Sequence, residues 1–247
     1  MKKWLAIFAA FTGVYLCFVI AFLPASFVAN KIALPNNIQL GQVSGSIWNS
    51  AIDTVVIDGT QINNIKADVN TWSLFTFNPT INVTLGGALY NGPEGRFSVS
   101  GLLSSITITE LDIAMNANEI AQQLTLPLPM EAKRMIEITA EQFVVGQPIC
   151  QQLTGNVRWK NAEITAMSEK VALGTLSAAL SCNKGKVIAT LNEKNNLGVT
   201  FVTEIGARGS VTGKGYLTPH AQLPKAIEQV LPFLGRKDRQ GRYRLAF

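Results

Sequence analysis

The pattern of hydrophobic and polar residues divides the chain into an apolar N-terminal run and a long region of alternating residues. Residues 4–23 are 20 consecutive positions without a charge, and a helix of this length spans about 30 Å. After Pro35 the period changes from that of a helix to that of a strand. Short runs rich in Val, Ile and Thr then recur between Gly, Asn and Asp residues. The pattern therefore predicts a transmembrane helix followed by an antiparallel, all-β domain.

The predicted strands form two groups on either side of a proline-rich stretch at residues 126–129. The first group is Gln39–Val43, Ala51–Ile57, Ile62–Val69, Thr80–Leu85, Arg96–Ser100 and Ile106–Ala114. The second group is Ile136–Val145, Leu153–Trp159, Ala162–Ala166, Gly174–Leu180, Lys186–Leu191, Gly198–Ile205 and Arg208–Leu217. The alternation in Ile106–Ala114 slips after two pairs, as it does at a bulge or at the end of a strand. Apolar residues one helical turn apart predict short helices near residues 117–124 and 223–234.

These elements predict four segments: a cytoplasmic end at 1–3, the transmembrane helix at 4–23, a linker at 24–37 and an exported β domain at 38–247. A weak internal repeat divides the β domain into modules 38–125 and 130–247. Val43–Trp48 is similar to Leu153–Trp159, and Ile62–Val69 is similar to Leu173–Leu180. Duplication explains the repeat, but so does turn chemistry that β proteins share, and both explanations stay open.

The charges that flank the apolar run predict the orientation of the helix. Lys2 and Lys3 precede it, whereas only Lys31 follows it closely, and basic residues favour the cytoplasmic side. The alternative is a cleaved signal peptide, whose apolar region would be about 7–15 residues long and would end in small residues. The longer run favours an anchor that is retained.

Composition and charge exclude two broad classes of protein. Apolar residues make up 47% of the chain and charged residues 15%, which excludes intrinsic disorder. The net charge of +5 arises at the two ends, because residues 24–224 hold 13 basic and 14 acidic side chains. The body of the chain therefore carries no basic footprint of the kind that binds nucleic acid.

The three cysteines fall into two environments. Cys17 lies in the apolar run, where it is an ordinary apolar residue, whereas Cys150 and Cys182 lie in the exported part. Oxidation is expected there, so we predict a Cys150–Cys182 disulfide. A metal site is the weaker alternative, because neither a neighbouring histidine nor a CxxC spacing accompanies the two thiols.

The sequence offers no constellation of catalytic residues. His220 is the only histidine, and the nucleophile, zinc-protease and phosphate-loop motifs are absent. The carboxylates are scattered singly rather than in pairs. We therefore predict that the protein is not an enzyme and has no cofactor or metal.

The C-terminal tail is the strongest candidate for a contact with a partner. It concentrates basic residues, and its last six positions alternate, as a terminal strand that joins a sheet does. The predicted contact residues are Arg236, Arg239, Arg242, Tyr243 and Arg244. A solvated terminus is the alternative. Trp48, Trp72, Trp159 and Tyr216 are predicted to be core residues, or recognition anchors if they are exposed.

Several motifs, in this order and spacing, resemble the type II secretion system protein N family. They are Val43–Trp48, Leu173–Cys182, Gly213–Leu217, Leu231–Gly235 and Asp238–Arg244. Each is mostly glycine and apolar residues, and together they cover nearly the whole chain.

The resemblance implies an accessory subunit of the bacterial inner membrane, with its N-terminus in the cytoplasm and its C-terminal domain in the periplasm. The machine would export folded proteins across the outer membrane, and the implied partners are its inner-membrane clamp protein and its outer-membrane secretin. The family supplies no catalytic residues. An anchored β protein that holds lipid in an apolar groove is the alternative, and homodimerisation stays open.

Overall fold

A computed structural model of the chain describes residues 2–32, 34–35, 37–57, 59–87, 89–102, 104–123, 130–166, 169–207, 210–221, 223–224, 227–228 and 231–246. The chain divides into two compact units, Met1–Gly92 and Pro93–Phe247. The strand pairs within each unit are antiparallel. The predicted all-β fold is therefore confirmed.

The described residues of the first unit form two α-helices, five strands and one 3₁₀ helix. They are α1 (Lys2–Ala21), α2 (Ala25–Ala29), β1 (Ile38–Leu40), β2 (Val43–Gly45), β3 (Asn49–Ile57), β4 (Thr60–Asn70), the 3₁₀ helix Thr71–Thr76 and β5 (Thr80–Leu85). The sheet order is β1-β3-β4-β5, and β2 also pairs with β3. The predicted strand Gln39–Val43 is two strands, β1 and β2, which are separated by Gly41 and Gln42. These two residues still bond to β3, where Gly41 N–H donates to Thr54 O and Gln42 O accepts from Asp53 N–H.

Helix α1 covers most of the predicted membrane span, and its aromatic side chains, including Phe8, Phe11 and Phe18, are exposed. Among the residues that the structure describes, no helix combines the length and the apolarity needed to cross a membrane. The span at residues 4–23 stays a prediction. The end of α1 and the residues just after it are nevertheless bonded to the turn between β2 and β3, because Trp48 Nε1 donates to Ile20 O at 3.1 Å and Ile47 N–H donates to Leu23 O at 3.0 Å.

The described residues of the second unit form ten strands, besides short helical segments. They are β6 (Glu94–Ser100), β7 (Thr107–Asn116), β8 (Met130–Lys133), β9 (Met135–Val145), β10 (Cys150–Ala166), β11 (Glu169–Asn183), β12 (Lys186–Leu191), β13 (Val199–Ile205), β14 (Val211–Leu217) and β15 (Tyr243–Ala246). The sheet order is β6-β7-β9-β10-β11-β12-β13-β14-β15, with β8 beside β10. Two predicted strands, Leu153–Trp159 and Ala162–Ala166, are one strand with a bulge, where Asn161 has a φ of 48°.

The remaining local predictions for this unit are confirmed where they can be read. The predicted bulge lies at Glu110, which has a φ of 53° and stands opposite a shift in the pairing of β6 with β7. Helix α3 (Ala117–Gln123) matches the helix predicted near 117–124. Of the helix predicted near 223–234, the structure shows a bond from Glu228 N–H to Pro224 O and the 3₁₀ helix Leu231–Leu234. Residues 225–226 and 229–230 lie outside the described residues.

The two halves of the proposed repeat differ in backbone conformation. Gly45 ends β2 with a φ of +84°, whereas Gly155 lies in the middle of β10 between Ala140 and Leu180. A Cβ at Gly155 would approach Thr139 O to 2.6 Å, so this glycine permits close strand packing. The proline-rich stretch at 126–129 lies outside the described residues, and the modules 38–125 and 130–247 stay a prediction.

Candidate functional site

Asp238 organises the turn that leads into the C-terminal strand. Its Oδ1 accepts hydrogen bonds from the backbone N–H groups of Gln240 and Arg242, both at 2.9 Å. Its own N–H donates to Arg242 O at 2.8 Å. The backbone N–H of Arg242 is the main reason that the pKa of Asp238 lies below its ordinary value, since a hydrogen bond to the carboxylate favours the charged form. The turn is thus closed by an ionised carboxylate.

The guanidinium of Arg242 makes two contacts. Its Nε and Nη2 each lie 2.9 Å from Asp238 Oδ2, and its Cζ lies 4.0 Å from the centroid of the Tyr216 ring. The ion pair with one carboxylate oxygen and the stacking on an aromatic ring together fix the guanidinium. Arg242 therefore serves the internal structure of the segment.

Tyr243 belongs to the core of the second unit. Only 8% of its surface is exposed, and it packs in a cluster with Leu217, Leu223 and Leu231. Its partner across the ladder is Leu217 on β14. A tyrosine in this position holds β15 on the sheet.

The exposed residues of the predicted contact set are Arg236, Arg239 and Arg244. We call these three residues the basic rim. The carboxylate of Asp238 pairs with Arg242, so it does not neutralise the positive charge of the basic rim. In the part of the chain that the structure describes, β15 pairs with β14 alone, and its outer edge has no ladder partner. The structure therefore divides the five predicted contact residues into two internal and three exposed ones, and the contact itself stays a prediction.

The structure joins the predicted cysteine pair at the other end of the strands. Cys150 and Cys182 are bonded, with a Cα–Cα distance of 6.1 Å. The bond ties the first residue of β10 to β11, beside the β11–β12 turn, where the backbone N–H groups of Ile149 and Cys150 both donate to Gly185 O. Cys150 is almost fully buried.

One face of the second unit's sheet is apolar along successive strands, and we call it the apolar face. The ladder pairs place Ile113, Ile138, Val157, Ala178 and Leu191 in one row and Leu111, Ala140, Gly155, Leu180 and Ala189 in the next. The opposite face carries polar rows such as Asp112, Thr139 and Asn156. This alternation gives the sheet one water-facing side and one apolar side.

Among the described residues, packed segments cover the apolar face at one end. There, Leu197 packs on Val171 and Leu173, and the segment around Leu223 and Leu231 packs on Leu217. Most of the remaining apolar side chains, including Ile138, Val157 and Leu180, stay half-buried. Ile227 packs against both of these clusters, α3 lies against β7 and β8, and the 3₁₀ helix Leu231–Leu234 lies against β15. Neither cluster of described residues includes a residue of the two apolar rows, so the described structure shows no second layer over the middle of the face.

The aromatic residues that the sequence predicts as core residues or recognition anchors differ in exposure. Trp159 donates from Nε1 to Lys133 O at 2.9 Å and packs on the core, and Tyr216 lies under Arg242. Trp72, in the first unit, is 78% exposed. An uncharged run of aromatic residues at 72–77 is the signal that could have identified it.

Comparison with known proteins relates the whole chain to one family. The family model for Type II secretion system (T2SS), protein N matches residues 36–246. A Type II secretion system protein N of Aeromonas hydrophila is 28% identical, with 100% of this chain and 98% of the relative covered. Relatives of the same name from Vibrio cholerae and Klebsiella pneumoniae are 22% and 23% identical, each with 98% of this chain and with 97% and 94% of the relative covered. No solved structure matches the chain.

Proposed function

Because the chain belongs to the type II secretion system protein N family, we propose that it is an accessory inner-membrane subunit of a type II secretion machine. Its β domain would make contacts in the periplasm during the export of folded proteins across the outer membrane. The observation that carries this proposal is the family match across residues 36–246. The proposed partners are the machine's inner-membrane clamp protein and its secretin.

The N-terminal run supports the membrane part of the proposal. Residues 4–23 are uncharged, Lys2 and Lys3 precede them, and the aromatic side chains of α1 have no cover in the described structure. The bonds from Ile47 and Trp48 to Leu23 and Ile20 would keep the first unit close to the membrane surface. The basic residues before the apolar run favour a cytoplasmic N-terminus and a periplasmic β domain, which is the topology that we propose.

The basic rim and the open edge of β15 support the contact part of the proposal. An unpaired edge strand can accept an extended segment from a partner through backbone hydrogen bonds. Three exposed arginines beside this edge favour a segment that carries acidic residues. We therefore propose an acidic, extended segment of another secretion subunit as the partner of this edge.

Charge reversal of the basic rim tests this contact. We expect the variant Arg236→Glu/Arg239→Glu/Arg244→Glu to lower secretion about tenfold, because rim charges steer association and opposite charges attract. Secretion is measured as exported enzyme in the medium of a strain that lacks its own copy and carries the variant.

A matched variant controls for net charge. Lys170→Glu/Lys184→Glu/Lys194→Glu changes the charge equally at exposed positions of the second unit, and we expect it to secrete normally. Photocrosslinking from Ala246 and Arg239 should capture other secretion subunits, whereas capture from Glu193 should not. Normal secretion by the rim variant, with no subunit captured, would contradict the proposed contact.

The apolar face favours lipid binding as a second candidate function. Its rows cross five strands from β7 to β12, which is about 19 Å at ~4.8 Å per strand. This exceeds the ~15 Å depth of one bilayer leaflet's hydrocarbon. The aliphatic rows, over which the described residues form no second layer, suit acyl chains, which require no hydrogen-bonding partner.

Photolabelling with a phospholipid that carries a photoactivatable acyl chain tests this candidate by comparing adjacent residues of the same strand. We expect adducts at Ile138, Val157 and Ala178 and none at their neighbours Glu137, Arg158 and Ser177, because alternate residues face opposite sides of a sheet. Adducts are located by mass spectrometry of the full chain in proteoliposomes. Equal labelling on both sides, or labelling confined to α1, would remove the lipid candidate.

A further inference from the structure

The loop between β4 and β5 exposes three aromatic side chains almost completely. Trp72, Phe75 and Phe77 are 78%, 79% and 87% exposed, and the Trp72 and Phe75 rings lie 6.0 Å apart. Residues 71–80 contain no charge. Exposed apolar clusters of this kind mark binding surfaces on proteins or membranes. We call residues 71–79 the aromatic loop.

A chain of hydrogen bonds places the aromatic loop beside the end of α1. Trp48 donates from Nε1 to Ile20 O of α1 at 3.1 Å, and Trp48 O accepts from Val69 N–H at 2.8 Å. Val69 and Asn70 are the last residues of β4, and Asn70 Oδ1 accepts from Trp72 N–H at 3.1 Å. The loop and the C-terminal end of α1 therefore lie at the same end of the first unit.

Several polar groups of the loop are bonded within the loop or to the residues that flank it. Ser73 Oγ donates to Asn70 O at 2.5 Å and accepts from Thr80 N–H at 2.8 Å, and Thr76 Oγ1 donates to Ser73 O at 2.8 Å. Entry into an apolar medium is costly for unpaired polar groups and much less so for paired ones. The loop thus combines outward aromatic rings with an internally bonded backbone turn.

We infer that the aromatic loop inserts its rings into the interfacial layer of the membrane that α1 enters. This inference rests on the proposed membrane anchor. Trp and other aromatic side chains favour the boundary between headgroups and acyl chains, and an uncharged loop carries no ion into it. A protein partner could bind at any end of the unit, whereas only the end that holds α1 can reach the bilayer.

A control position for labelling lies at the end of the first unit opposite the aromatic loop. Leu89 is 95% exposed, and it lies in the turn after β5, where Gly86 N–H donates to Asn63 O at 2.8 Å. Asn63 is seven residues from Asn70 along β4, which is about 23 Å at ~3.3 Å per residue. Leu89 is therefore equally accessible but distant from the membrane.

Single-cysteine labelling of the full chain tests the inference. Phe75→Cys, Phe77→Cys, Leu89→Cys and Val14→Cys are each made with Cys17→Ser, and a fluorophore is attached to the new thiol. The proteins are reconstituted into phosphatidylethanolamine and phosphatidylglycerol vesicles. Quenching is compared between iodide in the water and a nitroxide on the phospholipid acyl chain.

We expect the nitroxide to quench the labels at Phe75 and Phe77 and to leave the label at Leu89 bright. Because an anion is excluded from apolar surroundings, iodide should quench the two loop labels about tenfold less than the Leu89 label. Equal iodide quenching at all three positions would overturn the inference. Shielding of the loop labels from both quenchers, as in contact with a second copy, would overturn it as well.

The label at Val14 separates this inference from the proposed anchor. Nitroxide quenching at Val14 together with iodide quenching at Phe75 and Phe77 rejects the aromatic loop and keeps the anchor. Iodide quenching at Val14 rejects the anchor. In that case, nitroxide quenching of the labels at Phe75 and Phe77 still shows whether the loop reaches lipid. The two substitutions remove rings that are already exposed, so we expect the fold to tolerate them.

Discussion

Replacing both Cys150 and Cys182 with serine is expected to lower the free energy of unfolding of the second unit by about 3–4 kcal/mol. The bond closes a loop with a sequence separation of 32, and most of the effect comes from the greater freedom of the unfolded chain without it. Cys150 is also buried, so the serine hydroxyl adds a desolvation cost. Urea denaturation of the detergent-solubilised chain measures the change.

Two comparisons make the disulfide experiment specific. Cys17→Ser alters the cysteine outside the bond, and we expect a change below about 0.5 kcal/mol because the site is exposed. Reducing agent should destabilise the natural sequence and leave the double serine variant unchanged. If reductant had no effect on the natural sequence, the thiols would be unpaired in the protein and the predicted bond would be wrong.

Strand content could be predicted from the sequence because it depends on local alternation. The bulge at Glu110 was visible as a slip in that alternation, and the structure shows it as a positive φ with a shifted register. The joining of Leu153–Trp159 with Ala162–Ala166 was not visible. There the bulge at Asn161 interrupts the alternation while β11 continues to pair across it. Pairing with a distant strand, which no local window contains, keeps the strand whole.

The candidate site shows the same limit at the level of side chains. The sequence identified Arg236–Arg244 as a charged segment that ends in a strand, but it could not separate Arg242 and Tyr243 from the exposed arginines. That separation depends on Tyr216 and Leu217, which lie on the neighbouring strand about 26 residues earlier. The exposure of Trp72 could not be predicted from the sequence either, since a tryptophan next to a strand is usually buried.

Tyr243→Ala is expected to destabilise the second unit by about 3 kcal/mol, because the substitution removes a buried ring and leaves a cavity. The ring packs with Leu217, Leu223 and Leu231, so its loss loosens the contact between β15 and the rest of the sheet. Urea denaturation gives the total change. Hydrogen exchange of the β14 and β15 amides should show that the protection is lost first in this pair of strands.

Arg244→Ala is the matched control, because Arg244 is the next residue on β15 and points to the exposed side. We expect its stability to stay within about 0.5 kcal/mol of the natural sequence, as for most exposed positions. The two variants should weaken the capture of a partner for different reasons. Arg244→Ala weakens capture of other subunits while the fold stays intact, whereas Tyr243→Ala weakens it only as β15 detaches. If Tyr243→Ala left stability unchanged and still abolished capture, Tyr243 would be a contact residue and its assignment to the core would be wrong.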